Sequence, residues 1–194
     1  MALAEDRRTL EEANIDVDDL ISEAAAIVRQ TDLFLRNPLT DALSEQEAAF
    51  LRRGGAVGLD EPLKDRSRKN IMVIASEYAE MVAHAYTQKE VADLLKVTTS
   101  RIRQRIDAGT LYSIESNRGR VCPRWQFSQA ATLPGIERVL KAISSKAHPV
   151  AVQHFFLSIS ADLESPTLNQ TLSPRDWLIS GHNPDAVVIL ANEL

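Results

Sequence analysis

The stretch TQKEVADLLKVTTSRIRQRI, residues 87–106, constrains the fold more tightly than any other. Thr87 and Glu90 have the spacing of a capping box, in which a hydroxyl and a carboxylate each satisfy a backbone N–H that a helix leaves unpaired at its start. The helix they open carries Val91, Ala92 and Leu95 on one face, at the steps of a 3.6-residue repeat. Ala92 is small where a second helix must cross closely, and Val97 is placed to plug the turn. Thr98 or Thr99 caps that second helix, which buries Ile102 and Ile106. Lys96 occupies the turn position where glycine is favoured for its left-handed backbone. These spacings are those of a helix-turn-helix, the two-helix unit that sets its second helix in a DNA major groove.

Burying Ile102 and Ile106 fixes what points outward. At 100° per residue, Ser100, Arg101 and Gln104 face away from the core, with Arg103 and Arg105 on the flanks. Gln104 is suited to pair bidentately with adenine and Arg101 with guanine. Thr99 and Ser100 suit base edges or phosphates near the helix start. Base reading is therefore assigned to Thr99, Ser100, Arg101 and Gln104, and backbone contact to Thr98, Arg103 and Arg105. The alternative is a solvated, arginine-rich helix face.

Downstream, Gly109 stops the helix, residues 111–114 read as a strand, and Asn117-Arg118-Gly119 as a hairpin turn. Residues 120–122 return as the partner strand, which Pro123 ends. The result is a small wing whose Arg118 and Arg120 are candidates for phosphate or minor-groove contact. Equally, the hairpin covers the core through Trp125 and Phe127; the two roles use opposite faces.

The overall charge of −5 argues against a nucleic-acid partner, but its distribution does not. Residues 87–127 carry eight basic and four acidic side chains, whereas residues 1–86 are net −7 and residues 128–194 net −2. The basic island coincides with the two-helix motif. A single cysteine, Cys122, excludes an internal disulfide and a cysteine-based zinc cluster. The four histidines (His84, His148, His154 and His182) have no metal-ligand spacing, and neither a metal nor a cofactor is expected. No glycine-rich phosphate loop or nucleophile elbow is present, so enzymatic activity is not expected. No apolar run approaches the roughly 18 residues of a membrane span, and the charged first twelve residues lack a signal-peptide core. A cytoplasmic protein is expected.

The remainder reads as helical. Residues 17–35 carry a wide apolar stripe, ended by Asn37-Pro38. A short helix is framed by Ser44, Glu47 and Gly54-Gly55. A long helix spans residues 64–85, with Ile71, Ile74, Ala75, Tyr78, Val82 and Ala85 on its face. It runs almost directly into Thr87 and is expected to pack on the two-helix unit. After a boundary near residues 129–135 come helices over 135–143, 149–159, 174–179 and 184–193, several with proline in the first turn.

Two resemblances follow from these segments. YTQKEVADLLKVTTSRIRQRIDAGTLYSI, with CPRWQF after it, resembles bacterial DNA-binding proteins with an excisionase-like or MerR-like helix-turn-helix. The C-terminal part, from LPGIERVL to AVVILANEL, looks like the toxin-binding domain of Xre/MbcA/ParS-type antitoxins, in which a proline-started helix, a glycine and a valine-rich last helix recur. Here these are residues 174–178, Gly181 and residues 186–190. The segment 164–172 is longer than that pattern, and the N-terminal third lies outside it. The likeness implies an antitoxin that represses its own promoter and binds a toxin, a RES-type partner being the common case. It points to Trp177, Leu178, Val187 and Leu190 as partner anchors, although Trp177 and Leu178 fit a core equally well.

The expectation is thus a mainly α protein: a helical N-terminal region (1–61), a winged helix-turn-helix with one short β-hairpin (62–127) and a helical C-terminal module (128–194). It binds double-stranded DNA as a homodimer, because paired half-sites answer two-fold symmetry. Residues 17–35 offer an interface, or else an internal bundle helix. Competing readings are an interaction module whose helix-turn-helix does not read DNA, and an excisionase-like recombination or architectural factor.

Overall fold

A computed structural model describes residues 2–12, 15–30, 53, 63–116, 118–165 and 169–194. Among these the chain is helix-rich, with nine α-helices and three small antiparallel sheets. The short helix expected around residues 44–53, and the last residues of the one expected over 17–35, lie outside the described residues apart from Arg53. No helix among the described residues is long and apolar enough to cross a membrane. The chain divides into two compact units, Met1–Ala79 and Glu80–Leu194, with the division inside a helix.

The first unit contains α1 (Ala2–Glu12) and α2 (Val17–Gln30). Asp16 caps α2, its Oδ1 accepting from the N–H groups of Asp18 (2.8 Å) and Asp19 (3.1 Å). α3 (Leu63–His84) follows, and Ala75, Tyr78 and Ala79 are buried on it at helical spacing. Its last turn belongs to the second unit, where Met81 and Val82 are buried.

The second unit begins with β1 (Tyr86–Thr87), α4 (Gln88–Leu95) and α5 (Thr99–Asp107). β2 (Ile114–Ser116) and β3 (Gly119–Cys122) form a hairpin, and β1 pairs antiparallel with the other edge of β3, giving the order β1-β3-β2. Val91, Ala92, Ile102, Leu111, Cys122 and Phe127 make one apolar cluster between the two helices and this sheet. Full burial of a residue such as Ile102 is worth about 1.5–3 kcal/mol.

After a 3-10 turn at Arg124–Gln126, β4 (Phe127–Ser128) and β5 (Ala131–Thr132) form a second, minimal hairpin. Then come α6 (Ile136–Ala142), α7 (Pro149–Leu157), a third hairpin of β6 (Glu164–Ser165) and β7 (Gln170–Thr171), α8 (Pro174–Ile179) and α9 (Asp185–Ala191). These helices enclose a larger cluster that includes Trp125, Ile136, Val139, Phe156 and Leu178. Pro149 and Pro174 each open a helix, capped by the side chains of His148 and Ser173. Gly135, at φ +70°, is required twice over: its backbone is left-handed, and a Cβ there would lie 2.9 Å from the Pro184 ring.

Two side chains tie the clusters together. Gln126 is fully buried; its amide donates to the carbonyls of Tyr112 (2.9 Å) and Pro123 (3.1 Å), and its oxygen accepts from the Tyr112 N–H (2.9 Å). Arg175 donates to the carbonyls of Trp125 (3.1 Å) and Phe127 (3.3 Å). Gln126 also explains a difference from the sequence reading. The strand expected over residues 111–114 begins only at Ile114, because both backbone groups of Tyr112 are taken by that amide rather than by a neighbouring strand.

Candidate nucleic-acid interface

The geometry of α4 and α5 is set by three local devices. At the first, the Thr87 hydroxyl accepts from the Glu90 N–H (3.3 Å), and the Glu90 carboxylate accepts from the Thr87 N–H (2.7 Å) and hydroxyl (2.8 Å). The Thr87 backbone N–H, and then its hydroxyl, hold the Glu90 carboxyl below its ordinary range. At the second, Lys96 adopts the left-handed conformation (φ 53°, ψ 45°), as its place in the turn demands. At the third, Thr98 caps α5 by accepting from the Arg101 N–H at 3.2 Å. Thr98 is therefore the cap, and Thr99 is the first helical residue.

Val97 does not plug the turn. It is 41% exposed, and the half-buried Leu94 and Leu95 pack on the cluster instead. Ile102 is wholly buried, whereas Ile106 is only half-buried.

With Ile102 inward, Thr99, Ser100, Arg101, Arg103 and Gln104 are all exposed. Arg101 donates to the Gln104 side-chain oxygen (3.3 Å), so two candidate base readers touch one another. Arg103 donates to Gln88 on α4 (3.2 Å). Both partners are neutral amides, and neither arginine makes an ion pair among the described residues.

The other three arginines assigned to the DNA backbone are placed differently. Arg105 is half-buried, its guanidinium 3.4 Å from both the Thr110 carbonyl and the Thr132 hydroxyl. Arg120 lies between two carboxylates, 2.6 Å from Asp107 and 3.4 Å from Glu115, which raise the pKa of the guanidinium further, the hydrogen bond to Asp107 contributing most. Arg118 turns back from the hairpin and donates to the Val82 carbonyl in the last turn of α3.

Of the partner anchors, Leu178 and Val187 are fully buried in the larger cluster, so in this fold they support a surface and do not form one. Trp177 is half-buried, its indole N–H donating to the Asn183 carbonyl (2.9 Å) and its ring 4.3 Å from that of His182. Leu190 is half-buried. The exposed apolar residues of these two helices are Ile179 and, at 65%, Ile189. Sequence reasoning missed Ile189, although it stands two residues from buried Val187 and hence on the opposite side of α9.

The remaining chemistry-bearing residues are built into the fold. Cys122 is fully buried, and burial pushes its thiol up to about 12. His182 lies 2.9 Å from the hydroxyl of fully buried Ser165. No group of His, Cys, Asp and Glu fit to hold a metal occurs among the described residues.

No protein-family model, curated protein or solved structure matches this chain.

Proposed function

We propose that this protein is a sequence-specific double-stranded-DNA-binding regulator whose residues 87–122 form a winged helix-turn-helix, with α5 as the recognition helix. The observation that carries the reading is the outer face of α5. A capped, well-packed two-helix unit presents Ser100, Arg101, Arg103 and Gln104 to solvent, in the one basic section of an acidic chain. An arginine and a glutamine one turn apart supply bidentate donors for guanine and adenine. Arg103, whose in-fold partner is neutral, supplies charge for phosphate.

A mobility-shift titration on the DNA upstream of the protein's own gene, repeated across salt concentrations, tests this. A shift that weakens linearly in log–log form with salt and favours that fragment supports the reading. A folded protein that moves no fragment at low salt sinks it.

The antitoxin role is part of the proposal and rests on the C-terminal resemblance. The exposed Ile179 and Ile189 favour it as apolar contact points, now in place of Leu178 and Val187. A toxin is the proposed partner, and two copies of this chain are proposed to bind paired half-sites. Co-expression with the adjacent gene decides the first point. A stable complex that Ile189→Asp abolishes supports it, and a non-toxic neighbour that never co-purifies counts against it.

A further inference from the structure

Within the second unit, the last turn of α3, the 3-10 turn, α7 and α8 border an open cleft of about 300 Å³. That volume is at the lower end of what small-molecule sites use. Its apolar lining is Met81, Trp125 and Leu157. Its polar lining is Arg124, Arg175, His84 and Gln153, and none of the lining residues is acidic. In a chain of net charge −5, two guanidinium groups line one cleft; Arg175 also lies 3.6 Å from the exposed Asp176 carboxylate, which is not among the lining residues.

The two arginines are held in complementary ways. Arg175 is fixed by its bonds to the Trp125 and Phe127 carbonyls, which use two of its five donors. Arg124 stacks over the Tyr86 ring, 4.6 Å from its centroid, and its guanidinium makes no hydrogen bond among the described residues. Trp125, 5% exposed, is held by stacking on Phe156 at a centroid distance of 4.3 Å. Its indole N–H is buried without an acceptor among the described residues. Orphaned buried donors are rare in folded proteins, and this one has no access to solvent.

We infer that this cleft is a binding site for a small organic anion, a carboxylate or phosphate ester carried on an aromatic or aliphatic body. The guanidinium groups and the Gln153 amide take the charged end, in the paired-donor geometry that favours carboxylate and phosphate. Met81, Leu157 and the indole take the body. Anion binding in this cleft is independent of DNA binding, and its test contains no DNA.

The chain has two tryptophans, so Trp177→Phe leaves Trp125 as its only indole fluorophore. The full chain with this substitution is titrated at constant ionic strength with benzoate, phenyl phosphate and, as the neutral control, benzyl alcohol. The expected result is a saturable change in Trp125 emission with at least one anion, at about millimolar dissociation constant for probes this small. Benzyl alcohol should bind at least about tenfold more weakly, as expected when a charge-assisted hydrogen bond is lost. The tighter of the two anions identifies the headgroup class. Arg124→Ala, at an exposed position, should keep the circular dichroism spectrum and weaken anion binding about tenfold or more. Calorimetric titration of the chain with both tryptophans reads the same constants if Trp177→Phe perturbs the fold. Equal affinity for anions and the alcohol, undiminished binding in Arg124→Ala, or no saturable response to either anion overturns the inference.

Discussion

The outer face of α5 and the β2–β3 hairpin are both arginine-bearing, and they hold those arginines in opposite ways. On α5, Arg101 and Arg103 are exposed and lean on the neutral amides of Gln104 and Gln88. On the hairpin, Arg120 is enclosed by Asp107 and Glu115, and Arg118 is bonded to a main-chain carbonyl of α3. A phosphate approaching Arg120 must compete with two carboxylates already in place, whereas one approaching Arg103 displaces only an amide. Positive charge counted along a sequence is thus not the same as positive charge available to a ligand. Arg105 lies between these cases, with neutral partners but a half-buried side chain.

The largest expected effect removes the support that both regions share. Ile102→Ala, at a fully buried site between α4, α5 and the sheet, should cost about 2–5 kcal/mol in a denaturant titration. A cost under about 1 kcal/mol would mean that the cluster does not hold α5 in place, and the comparison would lose its basis. Next, Gln104→Ala should relax base preference at one operator position by about 1–3 kcal/mol, read by competition among single-base variants of the bound fragment. It also frees Arg101 from its hydrogen bond to Gln104, so non-specific affinity should hold or rise slightly.

Two arginine variants separate the helix from the hairpin. Arg103→Ala should weaken all DNA sequences alike and lower the salt slope of binding by about one, the signature of one lost phosphate contact. Arg120→Ala should leave both quantities unchanged. If instead Arg120→Ala lowered the salt slope as much as Arg103→Ala, the carboxylates would have to let go of Arg120 on the DNA, and the division between helix and hairpin would fail.

What was legible in the sequence was what a few neighbouring residues decide. The capping box of Thr87 and Glu90, a threonine cap that the sequence narrowed to Thr98 or Thr99, the left-handed Lys96 and the proline-started helices at 149 and 174 each involve contacts within about one turn. The outward set on α5 followed from the helical repeat once Ile102 was placed inside. What was not legible depends on partners far along the chain. Arg118 meets Val82 across 36 residues, Arg105 meets Thr132 across 27, and Gln126 meets Tyr112 across 14. Periodicity marked Leu178 and Val187 as apolar, but it does not say whether an apolar face is covered by the chain itself or left for a partner. The strand β1, two residues long, carries too little pattern to be read before its pairing with β3 is known.

The smallest expected effect concerns Lys96, where backbone and charge can be separated. A residue with a Cβ in the left-handed region costs about 1–2 kcal/mol relative to ordinary helical backbone. Glycine removes that cost but loses about 0.5–1 kcal/mol more conformational entropy on folding. Lys96→Gly should therefore stabilise the protein by about 0.5–1 kcal/mol, visible as a rise of a few degrees in Tm, whereas Lys96→Ala should give no gain. Both substitutions remove the same charge, from an exposed position in the turn that leads into α5. Measured on DNA, they should lower the salt slope equally if Lys96 touches phosphate, and not at all if its charge, like that of the hairpin arginines, stays out of the contact. A difference between the two variants on DNA would mean that the turn's backbone, rather than the lysine, sets how α5 meets the groove.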